Sequence, residues 1–72
     1  MTRKEEILYM QTRLFRLAVN RWNKTEEEVA AIFDQYAVCE YVEEGYDLLH
    51  MEGDAAVMAE IEEMIRTKGA VL

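Results

Sequence analysis

The stretch Tyr46-Asp47-Leu48-Leu49-His50-Met51-Glu52-Gly53 holds the only histidine of the chain, set among the carboxylates of Asp47, Glu52 and Asp54. Imidazole with carboxylates is a donor set that suits zinc or manganese. On a helix, however, only Asp47 and His50 share a face, and Glu52 and Asp54 need a loop to reach it. A structural zinc site wants four convergent ligands. The expectation is therefore no metal and no cofactor, with His50 closing the end of a helix and its ring bonded to a carboxylate or a backbone carbonyl. Cys39 and His50 could form a nucleophile and a base, but no third orienting group and no oxyanion-forming glycine turn accompany them. Cys39 is expected to be an unpaired, mostly buried residue. Glu43-Glu44 and Glu62-Glu63 are adjacent pairs, which a helix points apart, so they read as solvated face. There is no phosphate-binding glycine loop and no metalloprotease motif. The residues predict a protein that is not an enzyme.

The elements that must carry these residues are helical. The chain has 72 residues, no proline and three glycines, and 51% of it is hydrophobic. Ala, Glu, Leu, Met, Lys and Arg, the strong helix formers, are abundant. The prediction is a single all-α domain over residues 1–72. A core this small rarely supplies more than about 3–5 kcal/mol, and such chains often gain the rest by oligomerising, so a dimer is expected. The start of the chain does not resemble a signal peptide. No apolar run is longer than Ala55 to Ala59, far below the ~20 residues that span a bilayer. A cytoplasmic protein without membrane contact follows as an expectation.

Four helical segments are predicted, at about residues 3–22, 25–35, 38–51 and 54–68. In the first, Ile7, Met10, Leu14, Leu17 and Ala18 recur at helical spacing, with Leu8, Phe15, Val19 and Trp22 as a second stripe. That width implies a central helix, or one that contacts two neighbours. Thr25 and Glu28 form a capping box that opens the second helix, whose inner face is Val29, Ile32, Phe33 and Tyr36. A break near Gln35 to Ala37 precedes the third, with Val38, Tyr41, Val42, Leu48 and Leu49 inward. Gly45 inside it suggests a kink or the close approach of another helix. Asp54 is the predicted N-cap of the last helix, with Val57, Ile61, Met64 and Ile65 inward and Met58 at the edge. Gly69 is the predicted residue that ends it.

Charge is divided unevenly. The net value is −7, yet residues 1–24 carry +4 and residues 25–72 carry −11. Such halves can attract one another within a molecule or across an oligomer contact, or can face two partners. The run from Thr25 to Val42 has the rhythm of a helix-turn-helix. Its second helix would carry Glu40, Glu43, Glu44 and Asp47 with no Lys or Arg, and phosphates repel such a face. Nucleic-acid binding through the basic face of the first helix is therefore the alternative, below a protein contact. A ligand or metal site around His50 is weaker still. The aromatic residues are more than so small a core can cover. Arg13, Arg16, Trp22, Tyr36 and Tyr41 are the predicted interaction surface, of the residue types that concentrate binding energy.

Taken together, Tyr36-Ala37-Val38, then Tyr41-Val42, then Tyr46-Asp47-x-Leu49-His50-x-x-Gly53, then an acidic amphipathic helix with Ile61 and Ile65, resemble a family of very small bacterial proteins known only as a domain of unknown function. The resemblance runs from about Leu8 to Gly69. Met51-Glu52 stand where relatives tend to have Thr and a polar residue, so His50 lacks a neighbouring hydroxyl. The resemblance implies no activity. Relatives are often encoded beside proteins that look like ADP-ribosyltransferase toxins, which implies an antitoxin or accessory role and a toxin-like enzyme as partner. It also implies that Tyr46, Asp47, His50 and Gly53 make a structural corner or partner site, with Asp47 holding His50 and Gly53 fixing the turn.

Overall fold

Two of the helices begin with the same device. In the computed structural model, which describes all 72 residues, α1 (Arg3–Trp22) opens at Thr2 and α2 (Glu26–Gln35) opens at Thr25. The Thr25 hydroxyl accepts the Glu28 N–H at 3.1 Å, and the Glu28 carboxylate accepts the Thr25 N–H at 2.9 Å. Thr2 and Glu5 repeat the exchange at 3.2 and 3.0 Å. The N–H bonds of Thr2 and Thr25 hold the Glu5 and Glu28 carboxyls below their ordinary values. The box at Thr25 was legible in advance. The one at Thr2 has the same Thr-x-x-Glu signature and was overlooked in the sequence reading.

The turns use left-handed backbone. Asn23 ends α1 at φ 53°, with the Lys24 N–H on the Val19 carbonyl at 3.3 Å. The break expected near Gln35 to Ala37 is present, and Ala37 makes it at φ 52°, ψ 44°. This conformation costs an L-residue roughly 1–2 kcal/mol, and it is adopted here without the glycine that usually marks such a turn. Beyond it run α3 (Val38–Leu49) and α4 (Asp54–Thr67). Gly69, at φ 96°, ends α4, with its N–H on the Arg66 carbonyl at 2.9 Å and the Ala70 N–H on the Ile65 carbonyl at 3.3 Å. These two bonds satisfy carbonyls that the helix end leaves without a partner.

Several details differ from the expectation. The second, third and fourth helices are each shorter by one or two residues, because Thr25 is a cap and the chain turns from His50. The N-cap of α4 is Gly53, in extended backbone, and Asp54 is its first helical residue. Gly45 meets no other helix, since a Cβ there would press on Leu49 of its own helix at 3.1 Å. Leu48 is 77% exposed whereas Leu49 is buried. Of two adjacent leucines only one can lie on the face set by Val38, Val42 and Tyr46, because each residue turns the helix by about 100°.

The helix α1 is central and packs against each of the other three, while α2 also packs on α3. One cluster fills the space between them: Met10, Leu14 and Ala18 from α1, Val29 and Phe33 from α2, Val38, Val42, Tyr46 and Leu49 from α3, and Val57, Met58, Ile61 and Ile65 from α4. Met58 is fully buried, deeper than the edge position expected of it. The fold is all-α, and no helix is long and apolar enough to cross a membrane.

A polar clasp joins α1 to α4. Glu62 is the only buried charged residue, 8% exposed. It accepts Arg21 Nε at 2.8 Å and a second guanidinium nitrogen at 2.9 Å, and the Trp22 indole N–H at 2.7 Å. Burial alone pushes the Glu62 carboxyl up, but the bonds from Arg21 and Trp22 and the charge of Arg21 outweigh it, leaving the group below its ordinary value. Trp22 leans edge-on against Phe33 with ring centres 6.0 Å apart. The Glu62-Glu63 pair is therefore not one solvated face: Glu63 is exposed and Glu62 is an anchor.

Candidate functional site

The N-terminal half of α1 is a helix with two apolar stripes, and the bundle covers only one. Ile7, Met10 and Leu14 are buried, whereas Leu8 is 60% and Tyr9 54% exposed. The end of α3 comes alongside, because Tyr46 occupies the core position one turn before Leu49 and His50 closes that helix. Between them lies an open groove of about 630 Å³, lined by Met1, Glu6, Leu8, Tyr9, Thr12, Arg13, Arg16, Tyr46 and His50. Of the residues singled out in the sequence, Arg13, Arg16, Tyr46 and His50 are thus brought to one place.

Tyr46 organises the far wall. The imidazole of His50 stacks on its ring, with centres 4.8 Å apart and planes 17° from parallel. The Arg3 guanidinium lies 5.4 Å from the same ring centre. The Tyr46 hydroxyl donates to the Glu6 carboxylate at 3.4 Å. Burial pushes the Tyr46 phenol up, and the charge of Glu6 adds to this. Asp47 does not hold His50: it pairs with Arg3 at 2.7 Å, and that bond keeps its carboxyl below the ordinary value. The imidazole makes no side-chain hydrogen bond, so stacking, and not the bonded cap expected, fixes its position. Gly53 has ordinary extended backbone, φ −75° and ψ 153°, with nothing within 4 Å of a Cβ. It caps α4 and lines no part of the groove.

The predicted interaction surface divides into three. Arg13 and Arg16 line the groove, and Arg13 Nε also binds Asp54 at 3.0 Å, tying α1 to the start of α4. Trp22 is half-buried in the clasp. Tyr36 and Tyr41 line a separate shallow groove with Glu44, Met64 and Lys68. There burial pushes the Tyr41 phenol up, helped by Glu60 and Glu52. The sequence reading missed Leu8 and Tyr9 as site residues. The signal was present in the width of the apolar pattern on the first helix, which exceeds what three neighbours cover.

The Thr12 hydroxyl donates to the Leu8 carbonyl at 2.9 Å and is tied to its own helix. Cys39 lies outside, half-buried beside Phe15 and Phe33. Burial and then Glu40 push its thiol up, which lowers the thiolate fraction that nucleophilic chemistry needs. Asp47 is engaged by Arg3, and no three His, Cys, Asp or Glu side chains converge.

Residues 10–68 match the family described as "Protein of unknown function (DUF3791)". No curated protein matches the chain, and no solved structure matches it.

Proposed function

The chain belongs to the DUF3791 family, whose description assigns no activity, and from its own surfaces we propose that it is a non-enzymatic protein-interaction module whose contact face is the groove between α1 and the end of α3. The observation that carries this reading is the exposure of Leu8 and Tyr9 beside that groove, in a domain whose remaining apolar stripe on α1 is fully used. Exposed aromatic and aliphatic side chains next to arginines are the composition of interface centres. The three inter-element pairs Arg3–Asp47, Arg13–Asp54 and Arg21–Glu62 support the reading, since they spend most of the basic side of α1 within the molecule. Fewer cations are then left for phosphates, which weighs against the nucleic-acid alternative.

The proposal extends to an antitoxin-like or accessory role in the bacterial cytoplasm. The resemblance to proteins encoded beside ADP-ribosyltransferase-like toxins names the first partner to try. The test is capture from the native host with the wild-type chain and with the Leu8→Asp/Tyr9→Ser variant, alongside direct mixing with a neighbouring toxin-like enzyme. The wild type retains a partner that the variant, still helical by circular dichroism, loses. Retention of the same proteins by both chains would count against the groove as the contact face.

A further inference from the structure

The arginines of the chain are all paired but one. Arg3, Arg13, Arg21 and Arg66 each meet a carboxylate at 3.2 Å or less, and Arg16 meets none. Arg16 is also in the groove. Leu8, Thr12 and Arg16 follow one another at four-residue steps, so they form a ridge along α1 about 12 Å long, the rise of about two helical turns. Leu8 and Tyr9 give this ridge an apolar floor. Leu8 also borders a second shallow groove with Phe15 and Phe33, so the floor continues across α1. Glu6 is the only carboxylate lining the groove, and it accepts the Tyr46 hydroxyl.

A ridge that is apolar at Leu8, carries Thr12 one turn on and ends two turns on at an unpaired guanidinium is complementary to one kind of surface. Resting on the interaction reading above, we infer that the groove receives an amphipathic helix of a partner protein, with apolar side chains packed on the adjoining Leu8 and Tyr9 and a carboxylate two turns along on Arg16. A helix laid in a groove meets it at such spacings. Charge separates this occupant from a nucleic acid. A strand carries a phosphate at every nucleotide, and a domain of net charge −7 repels it as a whole. A single carboxylate needs only the one guanidinium left unpaired, Arg16, whereas a strand needs a row of cations.

The probe is a synthetic amphipathic peptide of about four helical turns, with leucines one turn apart and glutamates beside them. A twin peptide carries glutamine in place of glutamate. Titration is followed through the amide chemical shifts of the full chain. The glutamate peptide shifts Leu8, Tyr9 and Arg16 and binds about tenfold more tightly than its twin, the scale of one charge-assisted hydrogen bond. Arg16→Gln erases the tenfold difference, and Leu8→Asp removes the binding of both peptides. Equal affinity of the two peptides for the wild type overturns the inference, as does a preference that survives Arg16→Gln. Tighter binding of a single-stranded oligonucleotide at the same amides overturns it too. So does a concentration-dependent dimer that Leu8→Asp dissociates, because a second copy then fills the groove. If capture of a host partner still needs Leu8 and Tyr9 while the two peptides bind alike, the acidic helix is refuted and the interaction reading stands. If capture is indifferent to both residues, both are refuted.

Discussion

At one end of α1, Arg21 meets Glu62 at 2.8 Å; near the other, Arg3 meets Asp47 at 2.7 Å. The distances are alike and the surroundings are not. The Glu62 side chain is 10% exposed and is gripped by two guanidinium nitrogens and an indole, whereas the Asp47 side chain is 77% exposed. An exposed pair gains little, because water and salt screen it and two long side chains must be ordered to make it. A buried carboxylate with all its bonds made is costly to disturb, because removing one partner leaves the others unsatisfied in a poor solvent. Two contacts of the same chemistry therefore do different things. The clasp closes the bundle, and the Arg3–Asp47 pair arranges the wall of an exposed groove.

The strongest way to break this contrast is Glu62→Ala. It strands the Trp22 N–H and the Arg21 guanidinium, and a loss of about 2–3 kcal/mol is expected in urea unfolding. In a domain whose core gives roughly 3–5 kcal/mol, that loss removes a large part of the stability. Acid sharpens the same point. The folded state holds Glu62 below the ordinary glutamate value of 4.5, so the unfolded chain binds more protons as pH falls. The clasp contributes fully above that value and is lost as pH drops through the folded one. Thermal unfolding of the wild type should weaken below about pH 4.5, and Glu62→Gln should show a shallower slope there. Away from both regions, Ala37→Gly relieves left-handed strain and should stabilise by about 1 kcal/mol, read from the denaturation midpoint. At the groove, His50→Ala should cost no more than about 1 kcal/mol, since it removes a stacked ring and no hydrogen bond. Asp47→Asn should leave the midpoint where it is. A large loss in that variant would erase the distinction between the two ends.

The helices were readable because their information is local. The Thr25–Glu28 box and the stripe of Ile7, Met10 and Leu14 lie within a few turns of sequence. The left-handed Ala37 was not, because tertiary packing of α2 on α3 imposes a conformation that alanine itself disfavours. The clasp was invisible for a different reason. Arg21 and Glu62 are 41 residues apart, and Glu62 stands beside Glu63 in what looks like a charged run. The groove was half legible. The residue types at Arg13, Arg16, Tyr46 and His50 were suggestive, but their convergence depends on how α3 ends against α1, which no spacing encodes. Asp47, which the family resemblance paired with His50, belongs to Arg3 in space.

The indole hydrogen bond to Glu62 makes the single tryptophan of the chain a built-in optical gauge. Its emission will follow opening of the joint between the first and last helices and protonation of the carboxylate beneath it. The same signal will be almost deaf to whatever settles on Leu8 and Tyr9, which sit three to four helical turns away along α1. A fluorescence titration that stays flat would therefore say nothing about occupancy at the opposite end, and a label placed there is the instrument the question requires.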